Sequence, residues 1–296
     1  MMHKRREFIK TTTAGIALTA LTGKLMGQAY SDMFGCKKNI KKFGLQLYTL
    51  RDVMPNDPRG ILKQVAEMGY KQIESFEHDK LGIYWGMTNI EFKKYMDELG
   101  MSLISTHCNI NKDFEKKVNE AAEIGMKYLI SPSLDKEDAM DKDAYKKAAD
   151  LFNAKGEICK KSGLRFAFHN HDQAFRKRDS GFIAEEVLLE NTDPSLVDFE
   201  MDIYWVVTGG QDPITWLEKY PQRFKLCHIK DRKQGSLLSD REVSVDVGTG
   251  SIDFKKILKV AKQKGVNYFI VEQEKYNTTP LEAAKADAAY LKKLKI

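Results

Sequence analysis

No C-x-x-C pair occurs in this chain. Its four cysteines, Cys36, Cys108, Cys159 and Cys227, lie far apart, which argues against a zinc ribbon or a dithiol redox motif. Cys108 and Cys227 adjoin apolar, strand-like runs and read as buried thiols, and Met33-Phe34-Gly35 before Cys36 is a poor lipidation signal. No G-x-G-x-x-G follows the first apolar run, so a dinucleotide-binding open sheet is disfavoured, and no glycine-rich phosphate cradle opens a helix. Internal repeats, low-complexity segments and interdomain linkers are also missing. For 296 residues one large domain is then the simplest organisation.

A lasting excess of one charge sign is absent too. The formal +6 is concentrated at the start, where residues 1–29 hold Lys4, Arg5, Arg6, Lys10 and Lys24 against Glu7; without them the remainder carries +2. So balanced a chain gives no electrostatic reason to expect nucleic acid or an anionic membrane as partner. The first 29 residues resemble a twin-arginine export signal: Arg5-Arg6 with Glu7-Phe8-Ile9-Lys10, an uncharged run from Thr11 to Gly23, and a small-x-small cleavage pattern at Gly27-Gln28-Ala29. The run is too short and too weakly hydrophobic to span a membrane. This resemblance implies the twin-arginine export machinery as a partner, a mature chain over 30–296 with no membrane attachment after cleavage, and a periplasmic location.

What is present is alternation. Short apolar or β-branched runs at Phe43–Tyr48, Tyr70–Ser75, Ser102–His107, Tyr128–Ser131, Arg165–His169, Leu196–Asp202, Phe224–Ile229 and Tyr268–Glu272 read as strands. Between them lie helical-period stretches such as Ile61-Leu62, Val65, Met68 and Phe92, Tyr95-Met96, Leu99. Gly69, Gly100, Gly125, Gly163 and Gly265 each stand just before a strand, as helix C-caps. Strand-then-helix units repeated around one core predict a single (β/α)8 TIM barrel.

Such barrels place their chemistry at the C-terminal strand ends. There stand Glu74, His107, His169-Asn170-His171, Asp202, His228-Ile229-Lys230-Asp231 and Glu272-Gln273-Glu274. Any one of them alone reads as a cap or a satisfied core group; all of them at one end read as a site.

Phe168-His169-Asn170-His171-Asp172, Asp198 through Trp205 with Gly209-Gly210-Gln211-Asp212-Pro213, Leu226-Cys227-His228-Ile229-Lys230-Asp231, Val247-Gly248-Thr249-Gly250 and Val271-Glu272-Gln273 follow one another in an order that resembles the xylose isomerase-like superfamily, also called sugar phosphate isomerase/epimerase. The resemblance covers essentially the whole mature chain. It implies one divalent metal ion held by Asp202, His228 and Glu272, the ion being manganese, zinc, cobalt or iron. It further implies a small sugar as substrate, in an isomerase or epimerase, with a lyase acting on keto-sugars, keto-glycosides or cyclitols as close second. His107, His169, His171, Lys230 and Glu272 are the expected catalytic groups, and Glu74, Trp205 and Lys230 the expected substrate contacts. His78 and Trp85 are expected in a lid.

One departure matters. Relatives with the His-Asn-His-Asp stretch often place glutamate where Ala174 stands, so the fourth ligand position is open to His171, Gln173 or water, or the metal is lost. A two-glutamate epimerase mechanism lacks a partner here, whereas an elimination needs one base. Two other classes compete: phosphodiester cleavage, disfavoured by the balanced charge, and a non-catalytic exported carbohydrate-binding barrel with a degraded metal site.

Overall fold

A computed structural model describes residues 40, 42–134, 137 and 140–296. The expected export signal at 1–29 and Cys36 lie outside these residues. Cys108, Cys159 and Cys227 are buried free thiols.

The strands are β1 (Gly44–Gln46), β2 (Gln72–Phe76), β3 (Ser102–His107), β4 (Tyr128–Ser131), β5 (Arg165–His169), β6 (Val197–Asp202), β7 (Phe224–Ile229), β8 (Asp231–Arg232), β9 (Ser244–Val245) and β10 (Tyr268–Val271). Eight of these pair in the order β1-β10-β7-β6-β5-β4-β3-β2, closing a barrel, while β8 and β9 form a separate two-stranded ribbon. Every barrel pairing is parallel. The helices are α1 (Pro58–Met68), α2 (Asn89–Glu98), α3 (Phe114–Glu123), α4 (Lys142–Lys161), α5 (Asp172–Phe175), α6 (Ala184–Asn191), α7 (Ile203–Thr208), α8 (Pro213–Lys219), α9 (Phe254–Gln263) and α10 (Pro280–Lys293). The expected (β/α)8 TIM barrel is therefore the fold.

Local chemistry explains the boundaries. Thr88 with Glu91 and Thr279 with Glu282 form reciprocal capping boxes at the starts of α2 and α10. Gly69 closes α1 at φ 98°, a left-handed conformation that favours glycine. The first strand is shorter than expected: the Gln46 side chain accepts the Tyr48 N–H at 3.0 Å and starts a 3-10 turn over Leu47–Leu50. The second strand begins at Gln72 rather than Tyr70, whose ring packs edge-on against Phe43.

Alternation along the strands divides the core in two. Leu45, Ile73, Leu129, Phe166, Phe168, Phe199, Met201, Ile229 and Val271 join the large cluster that also takes in the helices. Tyr128, Ile130, Ala167, Leu226 and Ile270 form a smaller cluster of their own from the opposite strand faces, which plugs the barrel interior. Each large aliphatic or phenylalanine side chain among them contributes roughly 1.5–3 kcal/mol when buried. Above that plug the inward positions become polar, and the site begins.

Candidate metal and active site

Two layers of polar side chains close the barrel above the apolar plug. Gln46, Glu74, His107, His169, Glu200 and His228 form the lower layer, all buried. Glu74 is spent within it. Its carboxylate accepts Gln46 Nε2–H at 2.8 Å, Ser105 Oγ–H at 2.6 Å and His228 Nε2–H at 2.6 Å. His107 Nε2 lies 2.8 Å from Glu200 Oε2 and 3.3 Å from Glu74. Glu200 Oε2 is also 3.3 Å from His169 Nδ1 and from His228 Nε2. Burial works against ionising Glu74, but the imidazoles of His107 and His228 outweigh it and hold its carboxyl well below the usual range. His107 responds in kind: burial alone would lower it, and Glu74 and Glu200 raise it to about 9.

The upper layer holds Asp202, Lys230 and Glu272. Asp202 ends β6 and caps α7, its Oδ1 accepting the Trp205 N–H at 3.1 Å. Asn170, just beyond β5, fixes its backbone, accepting the Asp202 N–H at 3.0 Å. Asp202 Oδ2 is thereby left buried without a hydrogen-bond partner, and so is His228 Nδ1. The two lie 3.7 Å apart, with Glu272 Oε2 3.4 Å from the same nitrogen. Lys230 is buried between Glu272 at 3.4 Å, Asp202 at 4.0 Å and Glu274, which its ammonium contacts directly. Burial disfavours both charges, yet Lys230 and His228 hold Glu272 below the usual carboxylate range, and Glu272, Glu274 and Asp202 raise Lys230.

Asp202, His228 and Glu272 bring their donor atoms within 4.8 Å of one another. The two unpartnered atoms facing this space are a carboxylate oxygen and an imidazole nitrogen, the donors a borderline divalent cation takes. These residues fit a metal. His107, His169, Glu200 and His228 also converge within 4.8 Å, but there the 2.8 Å bond between His107 and Glu200 already joins two of the donors.

A cavity of 510 Å3 opens over these layers. His107, His169, His171, Glu272 and Glu274 belong to its lining, with Tyr48, Phe76, Asn109 and Lys112 among the residues of its walls. His171 precedes α5 and makes no capping bond there. Burial, and after it the Lys230 ammonium, push this imidazole down to about 4. His169 is lowered well below its ordinary value by burial and by the neighbouring His228 and His107.

The structure thus brings His107, His169, His171, Asp202, His228, Lys230 and Glu272 together, while Glu74, Trp205 and Lys230, the expected substrate contacts, stand outside the cavity lining. Glu74 does not line the cavity, because every bond it makes is to the lower layer. Trp205 is buried behind His171, ring centroids 5.4 Å apart, with the Lys230 ammonium 4.6 Å over its indole. It packs against the site and is not part of the cavity lining. Lys230 is likewise outside the cavity lining and is screened by Glu272 and Glu274, which are part of it. His78 lines the cavity, but Trp85 is buried and donates to Ser75 Oγ at 3.1 Å, so it anchors the wall. Ala174 lies in α5, inside the apolar core, and supplies no donor. Gln173 Oε1 is buried without a partner.

Glu200 was not among the sequence candidates. The signal was present: two residues before Asp202 on one strand puts a side chain on the same inward face. Glu274, in the cavity wall and against Lys230, was legible only as part of the run after the last strand.

The xylose isomerase-like TIM barrel family matches residues 62–294. The chain is similar to an inosose dehydratase of Clostridium tetani, 25% identical over 300 residues, a match covering 94% of this chain and 95% of that protein. An inosose dehydratase of Clostridium beijerinckii is 29% identical over 167 residues, 51% of this chain and 55% of that one, so the match spans about half of its length. A crystal structure of a sugar phosphate isomerase/epimerase from Parabacteroides distasonis aligns with TM-score 0.72 and 32% identity, over 87% of this chain and 95% of that one. With a closed eight-stranded barrel, a polar centre at its strand ends and a match over 62–294, the chain belongs to the xylose isomerase-like TIM barrel family.

Proposed function

We propose that this chain is a divalent-metal-dependent lyase acting beside the carbonyl of a keto-cyclitol or keto-sugar. One asymmetry carries the reading. Asp202, His228 and Glu272 gather on the β6, β7 and β10 side, with Asp202 Oδ2 and His228 Nδ1 unpartnered, while the β5 side offers His169 and His171 and, at Ala174, no carboxylate. That arrangement supplies one base rather than two matched carboxylates. Asp202, His228 and Glu272 would hold the cation, which supplies Lewis-acid polarisation of the substrate's oxygens when bound.

The remaining work falls to side chains. A neutral imidazole, His171 or His169, takes the proton from the carbon next to the carbonyl. The electron pair left behind forms the new carbon–carbon double bond as the bond to the β-oxygen breaks. That oxygen leaves as water or as an alcohol, protonated by the imidazolium just formed, which returns the base to its neutral form. Buried Lys230 holds Glu272 ionised and pairs with Glu274. Similarity to inosose dehydratases supports the elimination, and similarity to a sugar phosphate isomerase/epimerase supports the same proton abstraction with a different outcome.

The test offers metal-loaded protein an inosose and a 3-keto-glycoside in deuterated water. Loss of water or alcohol with growth of conjugated-enone absorbance supports the lyase. Deuterium uptake with a rearranged sugar and no elimination would replace it with an isomerase or epimerase. We also propose that residues 1–29 direct export by the twin-arginine route to the periplasm, a reading supported by Arg5-Arg6 and the uncharged run that follows.

A further inference from the structure

His228 has two ring nitrogens in different surroundings. Nε2 meets only carboxylate oxygens, Glu74 at 2.6 Å and Glu200 at 3.3 Å. Neither carboxylate, when ionised, can donate a hydrogen bond, so Nε2 must carry the hydrogen. Nδ1 faces Glu272 and Asp202 at 3.4 and 3.7 Å and has no hydrogen-bond partner. The Glu74 carboxylate cannot turn away, because Gln46 and Ser105 both donate to it. Gln46 is fixed in turn by the Tyr48 N–H.

We infer that Glu74 is a positioning residue for the metal: it holds His228 as the Nε2–H tautomer, so that Nδ1 presents its lone pair between Asp202 and Glu272. The inference rests on the metal reading above and assigns the buried carboxylate of β2 a task there that does not involve the substrate. A carboxylate behind a ligating histidine orients the ring and raises its basicity, and losing such a partner typically costs about 10- to 100-fold in metal affinity.

The experiment measures zinc affinity by chelator competition in the wild type, Glu74→Gln and Glu74→Ala, with folding followed by circular dichroism. Long-range nitrogen–proton NMR on 15N-histidine protein reads the His228 tautomer in the zinc-loaded state. Wild-type zinc bound at Nδ1 with hydrogen on Nε2, affinity weakened in Glu74→Ala by about 10- to 100-fold, and a smaller loss in the isosteric Glu74→Gln, which keeps an acceptor, are the expected results. A purely structural role would lower stability without moving zinc affinity in folded Glu74→Gln. Zinc bound with unchanged affinity in both variants, or coordinated through Nε2, overturns this inference alone. A wild type that takes up no zinc overturns the metal reading and this inference with it.

Discussion

Lys230 is the residue on which the electrostatics of the centre turn. Its ammonium is buried against Glu272, Glu274 and Asp202, and no other lysine or arginine forms an ion pair with these three carboxylates among the described residues. Removing one partner of a buried pair leaves an uncompensated charge, at a cost of about 3–5 kcal/mol. Lys230→Met, close in volume and uncharged, is therefore expected to lower the melting temperature and to cut turnover at least about 100-fold, within the range for losing a group that tunes acid–base catalysis. Thermal melts and kcat on the same preparation check this; unchanged turnover would show that the carboxylates need no cation beside them. His107, His169, His171, Asp202, His228 and Glu272 were legible because barrel topology sends strand-end side chains to one face. Glu74, Lys230 and Trp205 were found too, but they lie outside the cavity lining where a substrate contact was expected. Whether a strand-end side chain faces a cavity or the layer beneath depends on neighbours from other strands, such as Gln46 and Ser105 around Glu74, which no local pattern encodes.

Among the elements, the loops after β7 and the final helix lock the upper end of the barrel. Asp231 accepts the N–H groups of Gly248, Gly250 and Ile252, tying the long connection before α9 to the end of β7. Asp287 of α10 accepts the Val247 N–H at 2.7 Å, while its other oxygen is buried and unpartnered. Burial is the main cause that pushes the Asp287 carboxyl up to about 8, against about 3.9 for the unfolded chain. Between those values the folded state binds the extra proton, so stability falls as pH rises from about 4 to about 8, and the full penalty applies above that. Asp287→Asn keeps an acceptor for Val247 and removes the titration. Its melting temperature is expected to rise relative to wild type by a margin that is small near pH 4.5 and grows to several degrees at pH 8. Parallel curves across that interval would mean that Asp287 ionises in the folded state as it does in the unfolded one. The strands were legible as short apolar runs, four of the eight at both ends and the rest with shifts of one or two residues. Those shifts have local causes, such as the Gln46 cap that ends β1 early.

For the whole molecule, the proposed export leader at residues 1–29 stands before a barrel whose polar centre lies at one end. The leader reading predicts that Arg5→Lys with Arg6→Lys retains the protein in the cytoplasm, while the unaltered chain reaches the periplasm in shortened form; fractionation with immunodetection decides it, and equal export of the double variant would remove the twin-arginine route. The barrel itself was legible because eight alternating units leave few other ways to bury their apolar faces. The reaction class was not, since this fold hosts many chemistries and only the site distinguishes among them. The central claim is that Asp202, His228 and Glu272 hold a divalent ion. Elemental mass spectrometry of the folded protein, compared with Asp202→Ala and His228→Ala variants that keep their circular dichroism, tests it most directly. The account predicts about one equivalent of metal in the wild type and its loss in both variants; a wild type that holds none after loading with manganese, zinc and cobalt would contradict it.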